Sequence, residues 1–375
     1  MIKRYIKNQL LKKLKPGKVL VLTGARRVGK TFLLQEISKE LDQDYLFLTG
    51  EDFAVQDILE RRSIQNYKNF LGSRKILIID EAQKIPDIGP ILKLMIDSIK
   101  DLKIIITGSS AFDITNFTGE PLTGRQTTFS LFPISELELK NSETETERLD
   151  NLSQRLIYGN YPEVLNIQNS DEKSEYLNEI VNSYLLKDIL TLDKVKNPSK
   201  IFNLLRLISF QIGKEVSYDE LGKQLSISKN TVERYLDLLS KVFVLYKVEG
   251  FSRNLRKEIT KKSKWYFFDN GIRNVVIANF TNIKGRNDVG QLWENYIISE
   301  RIKFQSYKKM IVNNFFWRTY DQQEIDFVEE REGKLFAYEI KWQDLRVKLP
   351  KAWGKSYKNS EFSVINNQNY LNFVT

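Results

Sequence analysis

The sequence contains neither histidine nor cysteine. Without cysteine there is no disulfide framework, thiol nucleophile or thiolate zinc site; without histidine there is no imidazole base or imidazole-bound metal. Chemistry in this chain therefore runs on carboxylates, lysines, hydroxyls and hard, oxygen-binding cations. Long apolar runs are also lacking. No window approaches the roughly 18 uninterrupted apolar residues of a membrane helix, and the charged start Met1-Ile-Lys-Arg-Tyr5 is not followed by the apolar stretch of a signal peptide. A cytoplasmic protein with no membrane association is expected. The 375 residues are 41% hydrophobic, enough at about 150 residues per domain for two or three cored domains.

Charge is distributed unevenly. Residues 1–192 carry 26 basic and 27 acidic side chains, residues 193–264 carry 16 and 8, and residues 265–375 carry 16 and 13. Most of the +10 net charge thus lies in one short block. A local basic excess suits a polyanion, because phosphate neutralisation releases counterions and gives sequence-independent affinity. It equally suits a merely solvated lysine-rich surface.

Four continuous apolar runs punctuate the first half: Val19–Leu22, Tyr45–Leu48, Ile76–Ile79 and Ile104–Ile106. Separated by helix-compatible stretches at Phe32–Leu41 and Gly89–Lys100, they predict a parallel α/β sheet buried on both faces. The first run leads into Gly24-Ala-Arg-Arg-Val-Gly-Lys-Thr31, the G-x-x-x-x-G-K-[ST] phosphate-binding loop with the required strand before and helix after. Gly24 and Gly29 permit the tight turn. The segment Gly24, Ala25, Arg26, Arg27, Val28, Gly29, Lys30, Thr31 and Phe32 then presents its amides to a β-phosphate at a helix start, with Lys30 reaching the β and γ oxygens and Thr31 ligating Mg2+.

The third run ends in Asp80-Glu81. Asp80 is placed to hold the magnesium shell and Glu81 to polarise a water. Thr107, closing the fourth run before Gly108-Ser-Ser110, fits the polar residue near a γ-phosphate. Arg125 offers a guanidinium for transition-state charge, in cis or from a neighbouring copy, and on it and on analogy rests an expectation of self-association. An ordinary surface arginine is the alternative.

These strings, with Ile78-Ile-Asp-Glu-Ala-Gln83, Phe132-Pro-Ile-Ser135 and Tyr158-Gly-Asn-Tyr-Pro-Glu163, resemble the prokaryotic AAA-type (AAA+ or STAND-like) ATPases of unknown role, in which a P-loop domain is joined to an uncharacterised C-terminal domain. The resemblance spans nearly the whole chain and implies ATP binding. It departs at Asn160, where a glycine is expected.

The polar, acidic stretch Asn141–Glu147 is predicted to be a surface linker. Leu177, Ile180, Val181, Tyr184, Leu185 and Ile189 recur at helical spacing within Tyr176–Leu190 and predict a packed arm. In the basic block, Ser217-Tyr-Asp-Glu220 is a capping box that opens a short helix. Ser226–Ser228 turns, and Lys229–Ser240 forms a second helix burying Val232, Tyr235, Leu236 and Leu239 while offering Lys229, Asn230, Arg234 and Lys241 outward. A hairpin-like segment through Arg253–Lys257, Lys261 and Lys262 to Trp265–Phe268 completes a winged-helix pattern, whose second helix enters a DNA major groove. DNA binding through residues 214–264 is the expectation; a module that only contacts protein is the alternative.

The C-terminal stretch predicts a helix from Gly290, then strands at Phe315–Tyr320, Glu324–Val328 and Leu335–Trp342. Glu339 and Lys341, two apart on a strand, share a face, and a hairpin at Glu330–Gly333 brings Asp326 alongside. Two carboxylates and a lysine so placed can bind Mg2+ and orient a water for phosphodiester cleavage, Lys341 positioning or deprotonating it. The arrangement resembles the PD-(D/E)XK restriction-endonuclease-like fold, which implies that a helical glutamate, here Glu294, approaches the same metal. The usual proline before the aspartate is absent.

The expected architecture is α/β: a P-loop parallel-sheet AAA-type domain at 1–140, a helical lid or arm at 141–205, a winged helix at 206–270 and a small restriction-endonuclease-like α/β domain at 271–375. The expected function is an ATP- and Mg2+-using ATPase that couples nucleotide state to DNA binding, with Mg2+-dependent cleavage at Asp326, Glu339 and Lys341. The competing expectation is a nucleotide-gated interaction protein with slow hydrolysis and an inactive nuclease-like domain.

Overall fold

The computed structural model describes residues 2–108, 122–185, 197–253 and 262–375. The chain divides into two compact units, Lys3–Phe132 with Lys187–Asp193, and Met1–Ile2 with Pro133–Leu186 and Lys194–Thr375. The first is called the P-loop unit below.

In the P-loop unit, β1 (Val19–Thr23), β2 (Tyr45–Thr49), β3 (Ile76–Asp80), β4 (Lys103–Gly108) and β5 (Gln126–Ser130) form one sheet in the order β2-β3-β4-β1-β5. Every pairing is parallel. All residues of β1 and β3 are buried, as unbroken apolar runs require of strands covered on both faces. The helices predicted between the runs occur at Lys30–Ser38 and Ile88–Ser98. The second of these buries Ile91, Leu92 and Met95 in the same core as Val19, Leu77 and Ile104. The sequence gives no hint of β5. Gln126-Thr-Thr-Phe-Ser130 is mostly polar, with only Phe129 buried, because an edge strand has one neighbour and an open flank.

The second unit is built on a seven-stranded mixed sheet: β6 (Glu215–Val216), β7 (Leu245–Gly250), β8 (Ser263–Phe267), β9 (Asn313–Arg318), β10 (Glu324–Arg331), β11 (Lys334–Ile340) and β12 (Ser360–Ile365), in the order β12-β11-β10-β9-β7-β8-β6. The segments 206–270 and 271–375, expected as separate pieces, share this sheet. β7 pairs in parallel with β9 at Glu249↔Phe315 and Gly250↔Phe316, since a hairpin with β8 leaves its other edge free to bond. Trp317, Ile325, Val328, Leu335, Ala337, Trp353 and Phe251 form one core on one face of the sheet.

Local elements follow their caps. Ser217 accepts from the Glu220 amide and opens Tyr218–Leu225; Ser228 accepts from Thr231 and opens Lys229–Lys241, which buries Val232, Tyr235, Leu236 and Leu239 as its spacing requires. The expected linker at Asn141–Glu147 is a correction. A capping box between Thr144 and Glu147 starts a helix at Glu145 that runs to Tyr158, and the acidic residues that looked like loop composition are a first turn complementing the helix dipole. The arm is a helix at Ser170–Glu179 continued by a π-helical turn to Leu185. Leu177, Ile180 and Val181 are buried. Ile189, Ser109, Ser110, Lys261 and residues 254–257 lie outside the described residues. Among the described residues no helix is long and apolar enough to cross a membrane.

Candidate functional site

The loop after β1 is shaped by backbone contacts. Gly24 has φ +156°, and a Cβ there would lie 2.1 Å from the Leu131 carbonyl oxygen, so only glycine lets the loop pass the chain leaving β5. Arg4 braces the loop from below, donating to the Val28 and Phe132 carbonyls at 2.6 Å each. The following helix starts from Gly29. The first-turn amides of such a helix have no intrahelical acceptor, which makes them donors for an anion. Lys30 is buried, its Nζ 3.0 Å from the Gly24 carbonyl and 3.1 Å from that of Ala25. The ammonium is thus held across the mouth of the loop.

Sheet order decides what faces that loop. β4 lies between β1 and β3, with Thr107 in register with Leu22. The Thr31 hydroxyl donates to Asp80 Oδ2 at 2.6 Å, and the buried Thr107 hydroxyl donates to Asp80 Oδ1. The Glu81 amide donates to Thr107 Oγ1 at 3.0 Å, and Glu81 adopts φ +50° just beyond the strand. Thr31, Asp80, Glu81 and Thr107, from three places in the chain, therefore meet at the carboxyl ends of three adjacent strands. A hydroxyl and a carboxylate this close are the hard oxygen donors that Mg2+ takes, so the residues fit an ATP·Mg2+ ligand.

Arg125 does not join them. Its carbonyl accepts from the amide of Val19 at the start of β1, and its guanidinium pairs with Asp97. The P-loop follows Thr23, four residues and about 13 Å away along the strand. Arg125 is thus at the opposite end of the strands from the P-loop of its own chain.

In the second unit, β10 and β11 pair antiparallel in the register Phe327↔Tyr338, which sets Asp326 opposite Glu339. Lys341 Nζ lies 2.7 Å from Glu339 Oε1 and 3.3 Å from Asp326 Oδ2, and the latter oxygen also accepts the Ile340 amide at 2.9 Å. Glu294, on the helix Val289–Lys308, accepts from the Tyr266 hydroxyl at 2.6 Å and lies 3.9 Å from Lys264 Nζ. Lys264, 2% exposed, also pairs with Glu324 at 2.6 Å.

The electrostatics follow from this crowding. Burial pushes the Glu294 carboxyl up to about 7; Asp326 and Glu324 add to the shift, against Lys264 and the Tyr266 hydrogen bond. Burial and then Asp326 raise Glu339 likewise. Burial works against the charge of Lys341, but Asp326 and Glu339 outweigh it and hold its pKa above the lysine norm. One expectation is corrected. Among the described residues no group of three or more acidic side chains is placed to hold a metal ion: Lys341 bridges Asp326 and Glu339, while Glu294 is committed to Lys264 and Tyr266.

Sequence reading missed Lys264, Tyr266 and Glu324, since a charge within a short strand reads as an exposed position. It also missed why Tyr158-Gly-Asn-Tyr-Pro stands out. Gly159 has φ +72°, and a Cβ there would overlap the Asp269 carboxylate. Asn160, the unexpected residue, is buried; its amide donates to Asp269 at 2.7 Å and its side chain to Glu300 at 3.3 Å. Nearby, Arg155, 2% exposed, pairs with the fully buried Glu136 at 3.1 Å and with Glu143. Burial first, and then the Glu300 charge, push Glu136 up against the pull of Arg155.

Residues 16–140 match the family model described as AAA domain. With the β2-β3-β4-β1-β5 sheet and the loop after β1, this makes the segment a P-loop domain of the AAA ATPase type. Residues 149–283 and 289–370 match two models described as Domain of unknown function (DUF8612 and DUF4143). An uncharacterized protein of Mycobacterium tuberculosis is 23% identical over 86% of this chain and 70% of its own length. One from Methanocaldococcus jannaschii is 25% identical over 94% and 82%. A solved STAND ATPase with a tetratricopeptide repeat sensor from Pyrococcus horikoshii is 13% identical, with a TM-score of 0.30 over 82% of this chain and 48% of that one. The chain thus spans about half the length of that structure.

Proposed function

We propose that the P-loop unit binds and hydrolyses ATP and that its nucleotide state controls DNA binding by the second unit. The observation that carries the ATPase half is the gathering of Thr31, Asp80, Glu81 and Thr107 beside the loop that holds Lys30. In this reading the amides of Gly24 to Phe32 and the Lys30 ammonium bind the phosphates, and Thr31 with Asp80 holds Mg2+. Bound there, the metal neutralises charge on the transferring phosphoryl group. Thr107 fixes the Asp80 carboxylate and the Glu81 backbone, and Glu81 orients the water. Because Arg125 lies at the far end of the strands from the P-loop, any contribution from it comes from a neighbouring copy of the chain.

The DNA half is supported by the helix pair Tyr218–Leu225 and Lys229–Lys241, whose second helix exposes Lys229, Asn230, Arg234 and Lys241, in the manner of a winged helix. The acidic neighbours Asp219 and Asp237 pair with Lys229 and Lys241 at 3.4 and 3.0 Å, leaving this helix a modest electrostatic reader. A second reading, in which the nuclease-like region binds without cutting, is favoured by the lysine-bridged Asp326 and Glu339 and the diverted Glu294.

Phosphate release by wild type and Lys30→Ala, each with and without duplex DNA, tests the proposal. Turnover stimulated by DNA and reduced about a hundredfold or more in Lys30→Ala is expected. Equal turnover in the variant overturns the ATPase assignment, whereas DNA-indifferent turnover leaves it standing and removes the coupling.

A further inference from the structure

A groove of about 440 Å³ opens at the β10–β11 end of the second unit, lined among others by Arg253, Gly333, Leu335, Lys355, Lys358 and Ser360. Its charge is one-sided. Arg253 is partly neutralised by Glu330 at 2.7 Å and stacks on Phe251, with its guanidinium 5.8 Å from the ring centre. Lys355 and Lys358 are exposed and have no acidic partner among the described residues. At roughly 30 Å³ per water the volume exceeds what a single small anion fills. Open shape, excess positive charge and hydroxyl lining suit a run of phosphates better than a neutral ligand.

We infer that this groove is a phosphodiester-backbone site in which Lys355 and Lys358 make the main contacts, so that the second unit grips DNA at two places, here and at Lys229–Lys241. The inference rests on the DNA-binding reading above and extends it to residues outside 214–264. Its test is fluorescence anisotropy of a labelled duplex across a salt series with the full chain, comparing wild type, Lys355→Glu/Lys358→Glu and Arg234→Glu. The groove variant is expected to bind about tenfold or more weakly, with its log-log salt slope shallower by about 2, one per lost phosphate contact, while its unfolding midpoint and DNA-free ATP turnover stay at wild-type values. If the reversal lowers the midpoint, Lys355→Gln/Lys358→Gln carries the same test. Equal affinity and slope in wild type and groove variant, with Arg234→Glu weakened, overturn the groove alone. A wild type that binds no duplex removes the DNA reading and the groove together. Displacement of the duplex by millimolar inorganic phosphate at constant ionic strength also overturns the inference, making the groove a free-anion site.

Discussion

Replacing Glu294 by glutamine is expected to stabilise the second unit at alkaline pH and to leave it nearly unchanged in acid. The carboxyl is pushed from its ordinary 4.5 up to about 7 in the folded chain, by burial first and by Asp326 and Glu324 in addition. A carboxyl whose folded pKa is raised prefers its protonated form in the native state. Its contribution is therefore full below about 4.5 and is lost as pH climbs to about 7. Integrated between pH 5 and pH 8, the shift corresponds to about 2–3 kcal/mol of lost stability in the wild type. Glutamine mimics the neutral acid, so the advantage of the variant grows by about that amount across the interval. The assay is urea unfolding followed by tryptophan fluorescence. All five tryptophans lie at positions 265, 293, 317, 342 and 353, so the signal reports the second unit and not the P-loop unit. A difference between variant and wild type that stays flat from pH 5 to pH 8 refutes the picture of a buried carboxylate crowded by like charges.

Two further changes probe the scaffolds. Arg155→Met strips the buried Glu136 of its main partner and is expected to cost the second unit about 3–5 kcal/mol by the same fluorescence assay, with Arg155→Met/Glu136→Gln recovering more than half; a loss under 1 kcal/mol would mean that Tyr296 and Arg148 suffice, at odds with the burial seen. Gly24→Ala drives a methyl into the Leu131 carbonyl and is expected to destabilise the P-loop unit by about 3 kcal/mol, read by far-ultraviolet circular dichroism during denaturation. A wild-type midpoint there would contradict the close backbone approach.

Much of the P-loop unit was legible because its signals are local. An apolar run followed by Gly24 to Thr31 contains its own strand, turn and helix start, and Ile76–Asp80 ends in its carboxylate whatever surrounds it. The caps at Ser217 and Ser228 are equally self-contained. Hydrogen bonds spanning three residues and burial at fixed periods do not depend on the rest of the fold. The edge strand Gln126–Ser130 was not legible, since a polar strand has no pattern until a neighbour supplies its ladder.

The amino-acid sequence by itself determined that this protein carries a phosphate loop, a strand-end acidic pair and two capped helices in a basic block, because each is written within a few consecutive residues. Only the tertiary structure decided that Thr107 bonds Asp80 while Arg125 lies at the other end of the strands, since strand order and register are not encoded in any one strand. Only it brought Lys264 from β8 against Glu294 and Glu324, and Lys341 between Asp326 and Glu339. Charges separated by tens of residues along the chain acquire their partners, and hence their pKa values and chemistry, when long-range pairing folds them into one low-dielectric space.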